Sequence, residues 1–273
     1  FCENDSFSPN LQEKKSKFKL NPRINENPYL DNQLKQLEIQ FNATKQRLQN
    51  KFGTQKFIVY FQSFTNTYAP FSTLKALYEK ALSFDNVIGL SIGTRTDCVT
   101  DEILDYLVDL SKDKEIWIEF GIQSFFDETL ININRGDTSS NMKYWINRSK
   151  EKGLNVCGHL IYGLPNETQE MMLETFRQTV ELKVDSIKFH PLYVVKNTLL
   201  TNEFKKGRFT PISEELYIDT VVKSIKILPE NISIQRITAG INDSTLLSPD
   251  WCRDKHTQMK NIRLALEKEG FNY

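Results

Sequence analysis

Apolar residues recur along the chain with two different periods, and the two periods alternate. From Asn32 to Lys51 the apolar positions are three and four residues apart, as on one face of an amphipathic helix. Phe57 to Phe61 is instead an unbroken aromatic and β-branched run, which is typical of a buried strand. Similar runs predict further strands at 87–92, 116–120, 156–162, 186–192 and 232–239.

Helical periodicity separates each predicted strand from the next. The expected helices are 72–83, 100–110, one that begins at Asp127, 139–152, 167–182, 213–228 and a closing helix at 253–269. Ser72 and Thr100 are the predicted N-caps of two of these helices, and Gly153 is a predicted helix end.

Strand and helix alternate with a step of roughly 30 residues, which is the size of a βαβ unit. Such a rhythm predicts parallel strands joined by right-handed crossovers, in an open sheet or in a barrel. No G-x-G-x-x-G or G-x-x-x-x-G-K-S/T motif follows a predicted strand, which weakens the case for a nucleotide-binding open sheet. We therefore predict an α/β fold with a complete or partial barrel, whose strands have their carboxyl ends at one mouth.

The pattern divides the chain into three parts. Residues 1–56 are an irregular lead-in followed by a helix, residues 57–240 carry the barrel, and residues 241–273 form a C-terminal helical extension. The 35 basic and 35 acidic residues balance, so no global field favours nucleic acid or an anionic membrane. No apolar run approaches the ~20 residues of a membrane span and no signal peptide is visible, so we expect a cytoplasmic protein without a membrane partner.

The stretch from Ile116 to Arg135 combines a strand with polar groups at its end. Glu119, Gly121 and Gln123 are two positions apart, so they share one face of an extended strand. A carboxylate, a bare backbone and an amide therefore point the same way where a strand ends and a helix begins. Binding sites of α/β proteins lie at such strand ends.

Polar residues also follow the first two predicted strands. Thr65, Asn66 and Thr67 are suited to an amino group or a carboxylate, although an ordinary turn with a helix cap is equally consistent with them. The second strand ends in Gly93, which permits close backbone approach, and Arg95, which offers a bidentate grip on a carboxylate.

Histidines near two later strand ends leave two interpretations open. His159 lies in the fourth predicted strand, and Lys188 and His190 share a face of the fifth. Each histidine taken singly is more typical of a hydrogen-bonded core residue. Together with Glu119 the two histidines also suit a hydrolase metal site, but the H-x-H or H-x-x-x-H spacing that would favour it is missing.

Four cysteines are spread along the chain without forming a C-x-x-C pair. Cys98 and Cys157, near strand ends, are typical of buried packing in a reducing compartment. Cys2 differs, because it directly follows Phe1 in a chain that does not begin with methionine. We therefore predict that the chain is a fragment whose upstream residues are absent.

Six ordered segments resemble the YhcC-like family of radical S-adenosylmethionine (SAM) proteins. They are FQSFTNTYAP, GLSIGTRTDCVTDEILDYL, WIEFGIQSFFDETLININRG, VCGHLIYGLPNET, IKFHPLYVVKNT and RITAGINDSTLLSPDWC. The resemblance covers the chain from Phe57 onward. The family core is similar to the cores of the oxygen-independent coproporphyrinogen oxidases and of the Elongator catalytic subunit.

The resemblance implies a partial (β/α)6 TIM-barrel-like radical SAM core, with the first strand and most of the cluster loop missing from this chain. It also implies a 4Fe-4S cluster on three cysteines, with one iron open to the amino and carboxylate groups of SAM. Cys2 resembles the last of these cysteines, and the other two would lie upstream. The complete protein would then cleave SAM reductively to a 5′-deoxyadenosyl radical, whereas the chain as given would not hold the cluster and would be inactive.

The resemblance implies roles for residues at the first strand ends. Thr65-Asn66-Thr67 stands in place of the turn that meets the SAM amino group. Ser91 stands where related proteins commonly have a glutamate. The resemblance therefore implies that Arg95 or Glu119 takes the role of that glutamate.

It implies further SAM contacts in the later motifs. Gln123 matches the glutamine of a G-I/V-Q-S motif, and Arg135 matches an arginine that approaches the SAM carboxylate or ribose. His159 stands where related proteins have an acid, as a ribose or adenine contact. The segment after His190, from Pro191 to Val195 and so including Val194, would line the adenine side.

The predicted function is therefore that of a radical SAM enzyme of unknown substrate. The alternative is a non-catalytic accessory protein that binds RNA or protein on the same barrel. Related families act on tRNA, and residues 14–19 and 205–208 are basic segments near an aromatic residue, although such segments are more often plain solvated surface. The expected partners are the substrate, with tRNA or another macromolecule as a candidate, and an electron donor such as flavodoxin or ferredoxin.

Overall fold

The computed structural model describes residues 27–271, in which helices and strands alternate as the periodicity predicts. The helices are α1 (Leu30–Phe52), α2 (Phe71–Leu82), α3 (Asp101–Ser111), α4 (Asp127–Asn132), α5 (Ser139–Glu151), α6 (Gln169–Glu181), α7 (Leu199–Lys205), α8 (Glu214–Lys226) and α9 (Lys255–Lys268). The strands are β1 (Phe57–Phe61), β2 (Val87–Thr94), β3 (Glu115–Gln123), β4 (Asn155–Tyr162), β5 (Ser186–Pro191), β6 (Val194–Val195), β7 (Ser233–Arg236) and β8 (Leu246–Ser248).

Six of these strands form one sheet in the order β1-β2-β3-β4-β5-β7. The pairs β1–β2, β4–β5 and β5–β7 are parallel. Neighbours in the sheet are also successive in the chain, as expected when a crossover helix joins each strand to the next. The prediction of an α/β fold with a parallel sheet is confirmed. Strands β6 and β8 form a separate antiparallel pair.

The chain divides into two compact units, and β3 passes from one to the other. Within the described residues, the first unit comprises 27–119 and 151–155, and the second comprises 120–150 and 156–271. The predicted division into 1–56, 57–240 and 241–273 stays a prediction. No helix within the described range is long and apolar enough to cross a membrane.

The core of the first unit lies between β1, β2 and their helices. Its most deeply buried side chains include those of Tyr78, Leu90, Ile92, Leu104 and Leu107. At the edge of this core Phe41 of α1 stacks on Phe84, with 4.5 Å between ring centroids. The apolar face that the sequence predicts for α1 thus packs through an aromatic contact, although no residue of this helix is fully buried.

Gly89 marks a close approach between β2 and the start of β3. A Cβ atom added to Gly89 would lie 1.9 Å from the carbonyl oxygen of Glu115 and 2.8 Å from its carbonyl carbon. Both distances are far below van der Waals contact, and the opposing atoms belong to backbone that no side-chain rotation can move. Only glycine therefore fits between these strands without shifting them.

The core of the second unit is aromatic. Phe189 of β5 lies between Tyr162 of β4 and Phe176 of α6, at centroid distances of 5.3 Å and 5.8 Å. At the amino ends of the strands, Asp185 accepts hydrogen bonds from the backbone N–H of Val156 (2.7 Å) and from Lys150 Nζ (2.5 Å). These contacts fix β4 beside β5 at the end opposite to the one where functional side chains are expected.

Three short elements escaped the sequence prediction. They are β6, α7 and β8, which contain two, seven and three residues and so are too short to display a period. The prediction of a Ser72 cap was wrong, because α2 begins at Phe71 after Pro70. Thr100 does cap α3, accepting a hydrogen bond from the N–H of Ile103 at 3.3 Å.

Candidate functional site

Glu119 of β3 is a buried carboxylate held by two hydroxyl groups of the first unit. Only 1% of the residue is exposed. Ser91 Oγ donates to one carboxylate oxygen, and the hydroxyl of Tyr60 donates to the other at 2.9 Å. Tyr60 pairs with Ser91 in the parallel register of β1 and β2, so both side chains leave the sheet on the same side. Two charge-assisted hydrogen bonds therefore fix this carboxylate.

The side-chain amide of Asn66, in the turn after β1, is hydrogen-bonded within the protein. Asn66 Nδ2 donates to the carbonyl oxygens of Phe61 (2.9 Å) and Gly93 (2.8 Å), which ties the end of β1 to β2. A Cβ atom at Gly93 would lie 3.2 Å from Phe61 O, so the absence of a side chain allows this approach. The hydroxyl of Tyr78 donates to Asn66 O at 2.5 Å.

Thr67 is likewise engaged within the first unit. The residue is buried, and its hydroxyl lies 2.6 Å from Thr94 Oγ1 and 2.6 Å from Cys98 O. Thr65 next to it is half-buried. These contacts support the interpretation of Thr65 to Thr67 as a structural turn, which the sequence left open beside a binding role.

Arg95 presents its guanidinium to a neighbouring acid. Its Nε and Nη2 donate to the two carboxylate oxygens of Asp97 at 2.7 Å and 2.6 Å, a bidentate pair. The fork that the sequence predicts for a ligand carboxylate is therefore occupied by a carboxylate of the protein. Burial and the charge of Asp97 raise the pKa of the adjacent Cys98 thiol to about 11, so this thiol stays protonated near neutral pH.

Gln123 and Arg135 converge on the end of β3 in the second unit. Gln123 has a backbone φ of +68°, and the following N–H, of Ser124, donates back to Ile122 O at 2.9 Å. Arg135 is 8% exposed, and its Nη2 donates to Gly121 O at 2.5 Å. The strand end thus carries a buried cation and a neutral amide.

Strands β4, β5 and β7 bring four nitrogen-bearing side chains to one face of the second unit. His159 pairs with Lys188, and Lys188 pairs with Arg236, in parallel register; His190 follows two positions after Lys188 on the same face. Lys188 is 8% exposed, and His159 and His190 are half-buried. The face is rich in donors and in positive charge.

His190 is neutral in this environment. Its Nδ1 lies 2.6 Å from Pro191 O. Because a carbonyl oxygen only accepts hydrogen bonds, Nδ1 carries the proton and Nε2 is the unprotonated ring nitrogen. Burial, the positive charge of Arg236 and the neighbouring His159 lower the pKa of His190 to about 3. The imidazole therefore stays uncharged throughout the physiological range.

A hydroxyl group lies beside this histidine without a hydrogen-bond partner among residues 27–271. Tyr193 is 6% exposed, its hydroxyl is buried and unpaired in that range, and its ring lies 4.6 Å from the His190 ring. Val194 is fully buried and pairs with Ser248 of β8. Leaving a buried hydroxyl unpaired costs about 1–3 kcal/mol, so this position favours a polar ligand.

The predicted cluster ligand, Cys2, lies outside the described residues. Cys157 and Cys252 are buried and Cys98 is half-buried. Across residues 27–271 no three thiols come within metal-ligand distance of one another. This part of the chain therefore does not fit a 4Fe-4S cluster by itself, and its ligand set stays a prediction.

Sequence reasoning missed several residues at these strand ends. Tyr60 lies in a predicted apolar run, and Arg236 was not singled out in β7. Glu167 was expected to begin a helix, but α6 begins at Gln169, with Thr168 as its N-cap. Strand alternation was the available signal for Tyr60 and Arg236, whereas nothing local distinguishes Glu167.

Comparison with known families gives two matches that together span most of the chain. Residues 32–179 match the model of the radical SAM superfamily, and residues 184–268 match that of the radical SAM C-terminal domain. Protein YhcC of Escherichia coli K12 is 38% identical over 218 residues, which are 79% of this chain and 70% of that protein. A tRNA uridine(34) acetyltransferase of Methanocaldococcus jannaschii is 28% identical over 157 residues, 56% of this chain and 28% of that protein.

Among solved structures, the archaeal Elp3 of Methanocaldococcus infernus superposes with a TM-score of 0.69 at 21% identity. The superposition covers 86% of this chain and 60% of the archaeal chain, so this chain spans less than two thirds of that protein. At this identity the likeness concerns the fold. Together with the family match it confirms the predicted fold class, a partial TIM-barrel-like radical SAM core.

Proposed function

Because the chain belongs to the radical SAM superfamily, whose members are enzymes that use SAM and a 4Fe-4S cluster, we propose that it binds SAM at the carboxyl ends of its strands and uses it for radical chemistry. The observation that carries this proposal is the buried guanidinium of Arg135. It is hydrogen-bonded to the carbonyl oxygen of Gly121 near the end of β3, where Gln123 is the last residue of the strand. A fixed cation and a neutral amide at one strand end suit an amino acid joined to a nucleoside.

When bound, a 4Fe-4S cluster would supply the one electron that cleaves SAM to methionine and a 5′-deoxyadenosyl radical. We propose Cys2 as one ligand of that cluster. The remaining work of the chain is to bind, orient and shield. A water-excluding environment for a radical is consistent with the burial of Arg135, Lys188 and Val194.

Arg135 is proposed to hold the SAM carboxylate. Its Nη2 is fixed on Gly121 O, and its guanidinium is planar and stays charged at any physiological pH, which suits a carboxylate. Gln123 is proposed to hydrogen-bond a ribose hydroxyl, because an amide both donates and accepts without adding charge.

The segment from His190 to Val194 is proposed to receive the adenosine. Nε2 of the neutral His190 is an acceptor, and the buried hydroxyl of Tyr193 is a donor that a polar ligand would satisfy. Val194 supplies an apolar surface for the base. His159, on the same face as Lys188, is proposed as a further ribose or adenine contact.

For the first unit we propose roles that agree with its internal contacts. Asn66 and Thr67 shape the turn after β1 through their own hydrogen bonds, and we propose this turn, Thr65 to Thr67, as the segment that meets the SAM amino group. Glu119 is the proposed substitute for the glutamate that Ser91 replaces, since Ser91 donates to it. Arg95 is a weaker candidate because Asp97 occupies its fork.

The proposal is tested by SAM cleavage. The full-length gene product, reconstituted anaerobically with iron and sulfide and reduced with dithionite, is expected to convert SAM to 5′-deoxyadenosine and methionine, measured by chromatography. Cys2→Ala should abolish the product, whereas Cys98→Ala should retain it, because the Cys98 thiol stays protonated. A protein that holds a complete cluster yet forms no 5′-deoxyadenosine would contradict the proposal and favour the accessory role.

RNA is a second candidate, as substrate or as binding partner. It is favoured by the relative named a tRNA uridine(34) acetyltransferase. The local charge gives it less support: residues 14–19 lie outside the described range, and Arg208 is paired with Glu203 at 2.6 Å. If RNA binds, tRNA affinity measured by filter binding should fall steeply with salt; a flat dependence would contradict phosphate recognition. The electron donor and the cytoplasmic location stay predictions.

A further inference from the structure

We infer that Glu167, in the loop between β4 and α6, is a positioning residue that keeps the segment from Gln123 to Arg135 in its ligand-binding geometry. The inference rests on the proposed function, since it concerns the orientation of two proposed SAM contacts. Glu167 itself would not contact SAM. Its role would be exerted through Ser124.

The contact that carries this inference joins two loops. Ser124, which is fully buried, donates its hydroxyl hydrogen to Glu167 Oε1 across 43 residues of sequence. The same Ser124 oxygen accepts a hydrogen bond from the N–H of Phe126 at 3.1 Å. Ser124 therefore needs both partners to keep the chain turned between β3 and α4, and Glu167 is the one that comes from outside this turn.

Helix α4 follows this turn and links it to Arg135. Thr129 of α4 is 3% exposed, and its hydroxyl lowers the pKa of the Glu167 carboxyl, against the larger effect of burial. The carbonyl oxygen of the next residue, Leu130, accepts a hydrogen bond from the backbone N–H of Arg135 at 2.8 Å. The Glu167 carboxylate therefore contacts, through Ser124, the segment that carries both Gln123 and Arg135.

Gln123 needs an external restraint of this kind. Its φ of +68° is a left-handed conformation that a residue with a Cβ adopts at a cost of about 1–2 kcal/mol. Such a conformation persists only where the surroundings over-determine it. The neighbouring N–H of Phe125 donates to Thr175 Oγ1 at 3.3 Å, which adds a restraint from α6.

A local capping role would be the alternative, and the contacts argue against it. The N-cap of α6 is Thr168, whose hydroxyl accepts from the N–H of Met171 at 3.3 Å. Glu167 uses its own N–H for Leu164 O at 3.1 Å. Its carboxylate instead points to the loop that contains Ser124. Burial raises the pKa of Glu167, which means that holding the charged carboxylate there costs desolvation free energy.

The test compares SAM affinity, measured by calorimetry, in cluster-loaded full-length variants. Glu167→Ala is expected to weaken SAM binding by roughly tenfold, as for other residues that orient ligand-binding groups. Glu167→Gln should recover most of the affinity, because its side-chain oxygen still accepts from Ser124. The matched control is Glu170→Ala, which removes an exposed acid of the first turn of α6 that pairs only at the surface with Arg177.

Hydrogen exchange of the protein without SAM gives a readout independent of ligand. Glu167→Ala should speed exchange in peptides that contain residues 123–130 and leave peptides from β5 unchanged. If Glu167→Ala is too unstable to purify, a cycle of Ser124→Ala, Glu167→Gln and the double variant replaces it. The double variant should then bind SAM no more weakly than the weaker single variant.

Two results would overturn the inference, and they are distinguishable. Unchanged affinity and exchange in Glu167→Ala, with weakened binding in Gln123→Ala, would remove the positioning role and leave the proposed SAM site intact. Unchanged affinity in both Gln123→Ala and Arg135→Ala would overturn the proposed site and this inference with it.

Discussion

Replacing Arg135 by alanine is expected to weaken SAM binding to the cluster-loaded protein by roughly ten- to hundredfold. The physical reason is the loss of a charge-assisted hydrogen bond, worth about 1.5–3 kcal/mol. The guanidinium is buried at the end of β3, where competition from water is small. Calorimetry at constant salt measures the change directly, and thermal unfolding verifies that the fold is intact.

Two further variants sharpen this result. Arg135→Lys should recover only part of the affinity, because an ammonium is a mobile point charge without the planar fork. Arg177→Ala is the matched control, since Arg177 pairs with Glu170 and Glu174 on the surface of α6. Wild-type affinity in a well-folded Arg135→Ala protein would refute the assignment, and Arg95 would be the next residue to test.

Replacing Gly89 by alanine is expected to destabilise the protein by about 3 kcal/mol or more. The added methyl group would lie 1.9 Å from the Glu115 carbonyl oxygen, so β2 and β3 must move apart. For a domain of this size such a change lowers the midpoint of thermal unfolding by roughly 6–12 °C. Calorimetric or circular-dichroism melting measures the shift.

Gly53→Ala is the control for this substitution. Gly53 ends α1 at a φ of +65°, and a Cβ atom added there meets nothing within 4 Å. Its expected cost is only that of a left-handed alanine, about 1 kcal/mol. Equal destabilisation in the two variants would show that the strand contact at Gly89 is softer than its geometry indicates.

The main elements of the fold were accessible to sequence reasoning because they depend on local periodicity. Strand β1 has the predicted bounds, Phe57–Phe61, and β4 and β5 differ by a single residue. The β6–β8 pair was not accessible, because its partners are about fifty residues apart and too short to show a pattern. Parallel pairing itself followed from the helix lengths between strands.

The candidate site was only partly accessible, for a different reason. Sequence motifs indicate which residue types gather at strand ends, but they do not indicate what each side chain bonds. The amide of Asn66 turned out to serve two carbonyls, and Glu167 a hydroxyl far away in sequence. Such partners are chosen by tertiary geometry, which a single sequence does not encode locally.

Because Gln123 has a left-handed backbone conformation, stability and the proposed ligand binding favour different residues at this position. Among the described residues, seven other than glycine have a positive φ, and four of them are asparagines, which tolerate it best. For stability alone, glycine is the better residue at position 123, because it removes the steric penalty. Binding alone favours a residue with an amide that reaches the ligand. If Gln123 binds SAM as proposed, selection for thermostable variants is expected to replace it by glycine and thereby to weaken SAM binding.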